Sequence, residues 1–136
     1  MLSESDRKLL IKDLCTRLPY GVKAHVKKTY SEHIKSIEED VTVIMVYPKT
    51  DSVFVEDSKG LQIKISLDDP SAEIYLYLHK IDFRSMNKDE EESLKKAIET
   101  MTWTAEMDWY NEHHVDYRDL IEKGLALEAP RGMYKI

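Results

Sequence analysis

The chain has 136 residues, of which 42% are hydrophobic and 34% charged, with a net charge of −6. That length suits one domain burying about two-thirds of its unfolded surface, and the apolar content excludes a disordered segment. A membrane span is excluded too, since the longest apolar run, Val41 to Tyr47, is seven residues with Thr42 inside it, against the roughly 20 that a spanning helix needs.

Charge is unevenly placed. Residues 1–35 hold eight Lys/Arg and four Asp/Glu, whereas residues 36–136 hold twelve and twenty-two. An acidic whole disfavours general attraction to DNA or anionic lipid and leaves only a local basic face for such work. The start, MLSESDRKLLIKDL, interleaves acids and bases and has no apolar stretch of signal-peptide type. The single cysteine, Cys15, has no internal disulfide partner and fits a reducing interior, so the expected location is cytoplasmic.

In chain order, Ser3 or Ser5 caps a first helix whose apolar stripe is Leu10, Ile11, Leu14, Cys15 and Leu18. Pro19 and Gly21 end it in a turn. Val22, Ala24 and Val26 then alternate with Lys23, His25 and Lys27, the period of a half-buried strand with a basic wet face. The polar stretch TYSEHIKSIEED reads as a connection, and VTVIMVY as a central strand covered on both sides. SVFVE and LQIKISL flank DSKG as a hairpin closed at Gly60, with Leu61, Ile63, Ile65 and Leu67 facing inward. In EIYLYLH, Ile74, Leu76 and Leu78 alternate with Tyr75, Tyr77 and His79, a fifth strand.

The texture then changes. Asn87 and Glu90 resemble a capping box, the acids Asp89 to Glu92 suit a helix N-terminus, and Leu94, Ala97, Ile98 and Met101 supply a buried stripe. A second helix starts near Thr104 with Trp103, Met107, Tyr110 and His114 on one side, and Asp116 caps a short third helix ended by Gly124. In the tail, Tyr117, Leu120, Leu125 and Leu127 are expected to turn inward before Pro130. Strands precede helices, so the expected class is α+β: an N-terminal helix, an antiparallel sheet of about four to five strands, and two to three C-terminal helices packed on it, as a single domain over 1–136.

The densest chemistry is WYNEHHVDYRDLIEKGLALEAPRGMY, where Asn111, Glu112, His113, His114 and Asp116 crowd beside aromatics. Adjacent histidines on a helix point about 100° apart, whereas a metal pair needs i and i+3 or i+4. His113 and Asp116 have the right spacing, and His79 or His25 would have to complete the set. The same groups suit acid–base work. Against both stands a structural reading in which Asp116 caps and the histidines occupy a helix bend. Cys15, the only thiol nucleophile, lies on the expected buried stripe. No Gly-rich phosphate loop, CxxC pair or HExxH is present, and no cofactor is expected.

A nucleic-acid face would use Lys23, His25, Lys27 and Lys28 with Tyr75 and Tyr77 for base stacking. The alternative is an ordinary sheet protected by lysine. The acidic clusters EED, DD and DEEE could bind a basic partner or imitate DNA, but Lys59, Lys64, Lys80, Lys88, Lys95 and Lys96 interrupt them. Trp103, Trp109, Tyr110 and Tyr117 suit either a partner anchor or a small core.

IKDLCTRLPYGVKAHV, YLHKIDFRSMNKDEEE and above all the C-terminal WYNEHHVDYRDLIEKGLALEAPRGMY resemble a family of short uncharacterised proteins of Bacteroides-type gut bacteria, often encoded in prophages and mobile elements. The chain departs from that pattern at Val115, where an aromatic is common, and at Glu122-Lys123, where Pro-Met is common. The resemblance implies a bacterial accessory factor and assigns no catalytic residue. The leading expectation is a non-enzymatic protein acting through protein–protein contacts. A single-stranded nucleic-acid-binding module and a metal-dependent or acid–base enzyme built on His113, His114 and Asp116 are the alternatives.

Overall fold

A computed structural model gives the fold over residues 2–29, 36–79, 88–99, 103–130 and 132–134. The chain forms two compact units, Met1–Leu76 and Tyr77–Ile136.

The first unit begins with helix α1, Glu4–Arg17, capped by the Ser3 hydroxyl, which accepts from the Asp6 amide at 3.1 Å. Glu4 and Asp6 in the first turn and Arg17 in the last complement the helix dipole. Leu10, Ile11 and Leu14 are buried as expected, but Cys15 is exposed, and Asp13 and Arg17 lie fully inside instead. The buried face runs along 10, 13, 14 and 17, the i, i+3, i+4, i+7 set of a 3.6-residue repeat; Cys15 sits about 100° past Leu14 and falls off it. A 3₁₀ turn, Leu18–Tyr20, and Gly21 at φ 69° reverse the chain, a left-handed position that glycine takes without steric cost.

Strands β1 (Lys23–Lys28), β2 (Ile37–Tyr47), β3 (Ser52–Glu56), β4 (Gln62–Ser66) and β5 (Ala72–Leu78) follow. β1 pairs with β2 and β5, β2 with β3, and β3 with β4, all antiparallel. Side-chain alternation puts Val22, Ala24, Val26, Val41, Val43, Val53, Val55, Ile65, Leu67, Ile74 and Leu76 in the core. The β3–β4 hairpin closes as expected. Asp57 accepts from the amides of Lys59 and Leu61, both at 2.9 Å, and Gly60 turns at φ 85°. Leu61, expected inside, is 60% exposed, because it serves that turn rather than the strand. In the turn before β5, Asp69 accepts the Ser71 hydroxyl and amide, which hold its carboxyl below the ordinary range.

β2 differs from expectation twice. It starts at Ile37, so IEED is strand rather than connection: Glu38 faces Lys27 and Asp40 faces His25 across the ladder, offsetting the poor strand propensity of acids. It is also covered on one face only, since Met45 and Tyr47 are exposed while Val41 and Val43 are buried. A register shift between Val43 and Met45 breaks the alternation at that point.

The second unit holds α2 (Lys88–Glu99), α3 (Trp103–Glu112) and β6 (Ala126–Glu128). The expected Asn87 cap, residue Met101, and the side chains of Leu94, Ala97, Ile98, Trp103 and Thr104 lie outside the described residues. Among the described residues there are six strands rather than four or five: the order is β4-β3-β2-β1-β5 in the first unit, and β6 lies beside the end of β5 in the second. The sheet is mixed rather than purely antiparallel, and just after β5, outside the named strands, His79 forms an isolated parallel bridge with Val115. The third helix expected after Asp116 is replaced by a series of turns. Asp119 takes φ 57°, and a left-handed residue inside the first turn interrupts helical geometry. Gly124, at φ 75°, then leads into β6. Leu120 and Leu125 are buried as expected, Tyr117 is half-buried, and Leu127 faces solvent because β6 alternation turns it away from buried Ala126. No helix among the described residues is long and apolar enough to cross a membrane.

Candidate functional site

The C-terminal polar cluster begins where α3 ends. His113 folds back on the helix: its amide and Nδ1 both lie 3.0 Å from the Trp109 carbonyl oxygen, and its ring stacks on Trp109 at 4.0 Å and 14°. Trp109 donates from Nε1 to the Ser93 hydroxyl at 2.9 Å, tying α3 to α2. His114 turns to φ 59°, a left-handed value uncommon for a residue with a Cβ, and lays its ring on Tyr134 at 3.7 Å and 23°. The adjacent imidazoles therefore meet different aromatic partners.

Three further groups surround this bend. His79, also buried, approaches Tyr134 edge-on at 5.9 Å; its amide donates to His114 and its carbonyl accepts from Asp116, both at 2.8 Å. Tyr134 donates its hydroxyl to the Tyr77 carbonyl at 2.7 Å. Asp116 accepts the Leu120 amide on Oδ1 at 2.8 Å and the Ile121 amide on Oδ2 at 2.9 Å, so both oxygens hold the following turns. Beside it, Asn111 accepts the Tyr117 hydroxyl at 3.0 Å, Tyr117 stacks on Tyr110, and Arg118 donates to that hydroxyl while lying over the Tyr117 ring. Glu112 is exposed. Among the described residues no group of three His, Cys, Asp or Glu side chains is placed to hold a metal ion.

The basic strand and one tyrosine are brought together. β1 lies between β2 and β5, and Tyr75 stands directly across from His25. Acids come with them: Lys27 faces Glu38 on one side and Glu73 on the other, and His25 faces Asp40. Lys28 has the opposite strand parity and reaches the Lys64 carbonyl at 3.4 Å. Tyr77 belongs to the second unit and is half-buried there.

His25 has a geometry that alternation alone does not reveal. Its Nδ1 lies 2.9 Å from Asp40 Oδ1 and its Nε2 3.1 Å from Glu38 Oε1. The Asp40 hydrogen bond first, then the Glu38 one, raise its pKa above the ordinary value, against the opposing effect of partial burial.

Two features escaped sequence reasoning. One is the fully buried ion pair of α1, with Arg17 Nε 2.7 Å from Asp13 Oδ2 and Nη2 3.2 Å from Oδ1. The other is the exposed apolar group on β2 and β3. Met45 is 43% and Tyr47 44% exposed; Phe54 stands across from Met45, and its ring meets Tyr47 edge-on at 5.7 Å. The absence of strict alternation in VTVIMVY is the signal that hid it, since an unbroken apolar run reads as buried on both faces. Comparison of the chain with family models, curated proteins and solved structures finds no match.

Proposed function

We propose that the protein is a non-enzymatic accessory factor that binds another protein, in keeping with its resemblance to proteins of bacterial prophages and mobile elements. The observation that carries this reading is exposed Met45 and Tyr47, with half-buried Phe54 beside them. Large apolar side chains held on regular strands and left facing water are an interaction feature, and Met and aromatic residues are enriched where proteins meet. The strands fix the position of these groups in advance, so little ordering entropy opposes binding.

The C-terminal cluster supports the same reading from the other side. Asp116 is engaged by two backbone amides and the His113 and His114 rings are stacked on separate aromatics, an arrangement that shapes chain reversal. The test is a pair of surface variants, Met45→Glu and Tyr47→Glu, compared with the parent chain in affinity capture from the native host. Substitutions at exposed positions leave stability within about 0.5 kcal/mol, so a protein captured by the parent and lost from both variants supports the reading. Equal capture by parent and variants overturns it, as does catalytic turnover that depends on His113, His114 or Asp116.

A further inference from the structure

We propose that His25 is a pH-operated clamp that holds the acidic first half of β2, Ile37–Asp40, on β1 when protonated and releases it when neutral. The argument starts from hydrogen-bond chemistry. A neutral imidazole has one N–H donor and one lone-pair acceptor, and a carboxylate only accepts. With Asp40 at 2.9 Å from Nδ1 and Glu38 at 3.1 Å from Nε2, the neutral ring leaves one nitrogen lone pair against a carboxylate oxygen. Only the imidazolium donates to both.

The surrounding charges give the same sign. On this face β1 presents Lys23, His25 and Lys27, β2 presents Glu38 and Asp40, and β5 presents Glu73 with Tyr75 across from His25. Among these described groups, protonated His25 makes three cations against three anions, and loss of its proton leaves the anions in excess. Both effects favour the proton, in line with the raised pKa.

Topology makes the response local. Among the described residues, 37–41 pair with β1 only, because the pairing of β2 with β3 begins at Thr42 and Glu56. The arm therefore depends on one ladder, and it carries Glu38, Glu39 and Asp40 in succession. Like charges on a single-laddered strand favour fraying once the bridging cation is gone. A His whose folded pKa is raised contributes stability that is complete below its unfolded value and is lost as pH rises through the folded one. The arm is thus held at acidic pH and loosened as pH rises through the raised His25 midpoint.

Two NMR measurements on the whole chain test this: the His25 ring titration, and amide exchange protection factors for residues 38–41 across the same pH range. The expected result is a His25 midpoint above 6.5, the unperturbed value, with protection in the arm falling several-fold in the same pH step while Val53 and Val55 stay protected. In His25→Gln the step disappears. The double variant Glu38→Gln/Asp40→Asn keeps the imidazole and lowers its midpoint to the ordinary value or below it, which provides the same test should the first variant fold poorly. A midpoint at or below 6.5, an arm whose protection ignores His25 titration, or an unchanged step in His25→Gln each overturns the clamp.

Discussion

Removing one partner of the Asp13–Arg17 pair is the sharpest test of how the first unit is held together. Both side chains have 0% exposure and meet in a two-bond fork of 2.7 and 3.2 Å. Arg17→Met therefore takes the two-bond fork away from a buried carboxylate, and Asp13→Leu takes it away from a buried guanidinium. Breaking a buried pair from one side costs about 3–5 kcal/mol, a large share of the roughly 5–15 kcal/mol that holds a domain folded. With a urea dependence of roughly 1–3 kcal/mol per molar, each single variant lowers the midpoint by about 1 M or more. Far-UV circular dichroism follows the transition, because α1 and strands β1 to β5 melt with it. The double variant Asp13→Leu/Arg17→Met removes both charges and recovers most of the loss, since apolar replacement of a buried pair is often neutral. Single variants costing under about 1 kcal/mol, or a double variant as weak as the two singles added together, would refute the reasoning.

Three other outcomes are expected. Asp116→Ala frees the amides of Leu120 and Ile121 and lowers stability by about 2 kcal/mol, whereas Asp116→Asn, keeping one acceptor, loses less; tryptophan fluorescence in a denaturant titration reports both. Gly60→Ala costs about 1 kcal/mol, entirely through its φ of 85°, because an added Cβ meets nothing within 4 Å; a neutral result in thermal unfolding would contradict that backbone assignment. Fluorescence anisotropy with a labelled single-stranded oligonucleotide at low salt detects no binding at the β1 face, since Glu38, Asp40 and Glu73 interleave with its lysines. Salt-dependent binding lost in Lys23→Glu/Lys27→Glu would reinstate the nucleic-acid reading.

Where one periodicity governed a segment, the sequence was sufficient. The alternation at residues 22–28 and 74–78 placed β1 and β5 with their inward residues, and the Ser3 cap and Gly21 turn marked both ends of α1. What could not be read was tertiary in origin. Glu4–Lys8 and Asp13–Arg17 are both acid–base pairs at i, i+4 on the same helix, yet the first is 72% exposed on each side and the second fully buried. Nothing local separates them; the surface that covers the second comes from elsewhere in the chain. IEED has the composition of a loop and becomes strand because Lys27 and His25 stand across from it. The turns after Asp116 begin like a helix and fail at Asp119, whose left-handed φ propensity scales do not encode.

The distribution of polar interactions bears on where a partner binds. Several charged groups that could serve in recognition are already engaged nearby: Asp57 by its own hairpin amides, Asp116 by the turn that follows it, and Glu38 and Asp40 by His25 across one ladder. Such groups lose existing bonds if a partner claims them, so they contribute little net affinity. Met45 and Tyr47 differ, because covering them removes apolar surface from water without breaking any bond. At roughly 25 cal/mol per Å², apolar burial over that group favours association. The consequence can be measured: association through this face has a negative heat-capacity change and weak salt dependence, whereas strong salt dependence would move the interface to the charged ladder around His25.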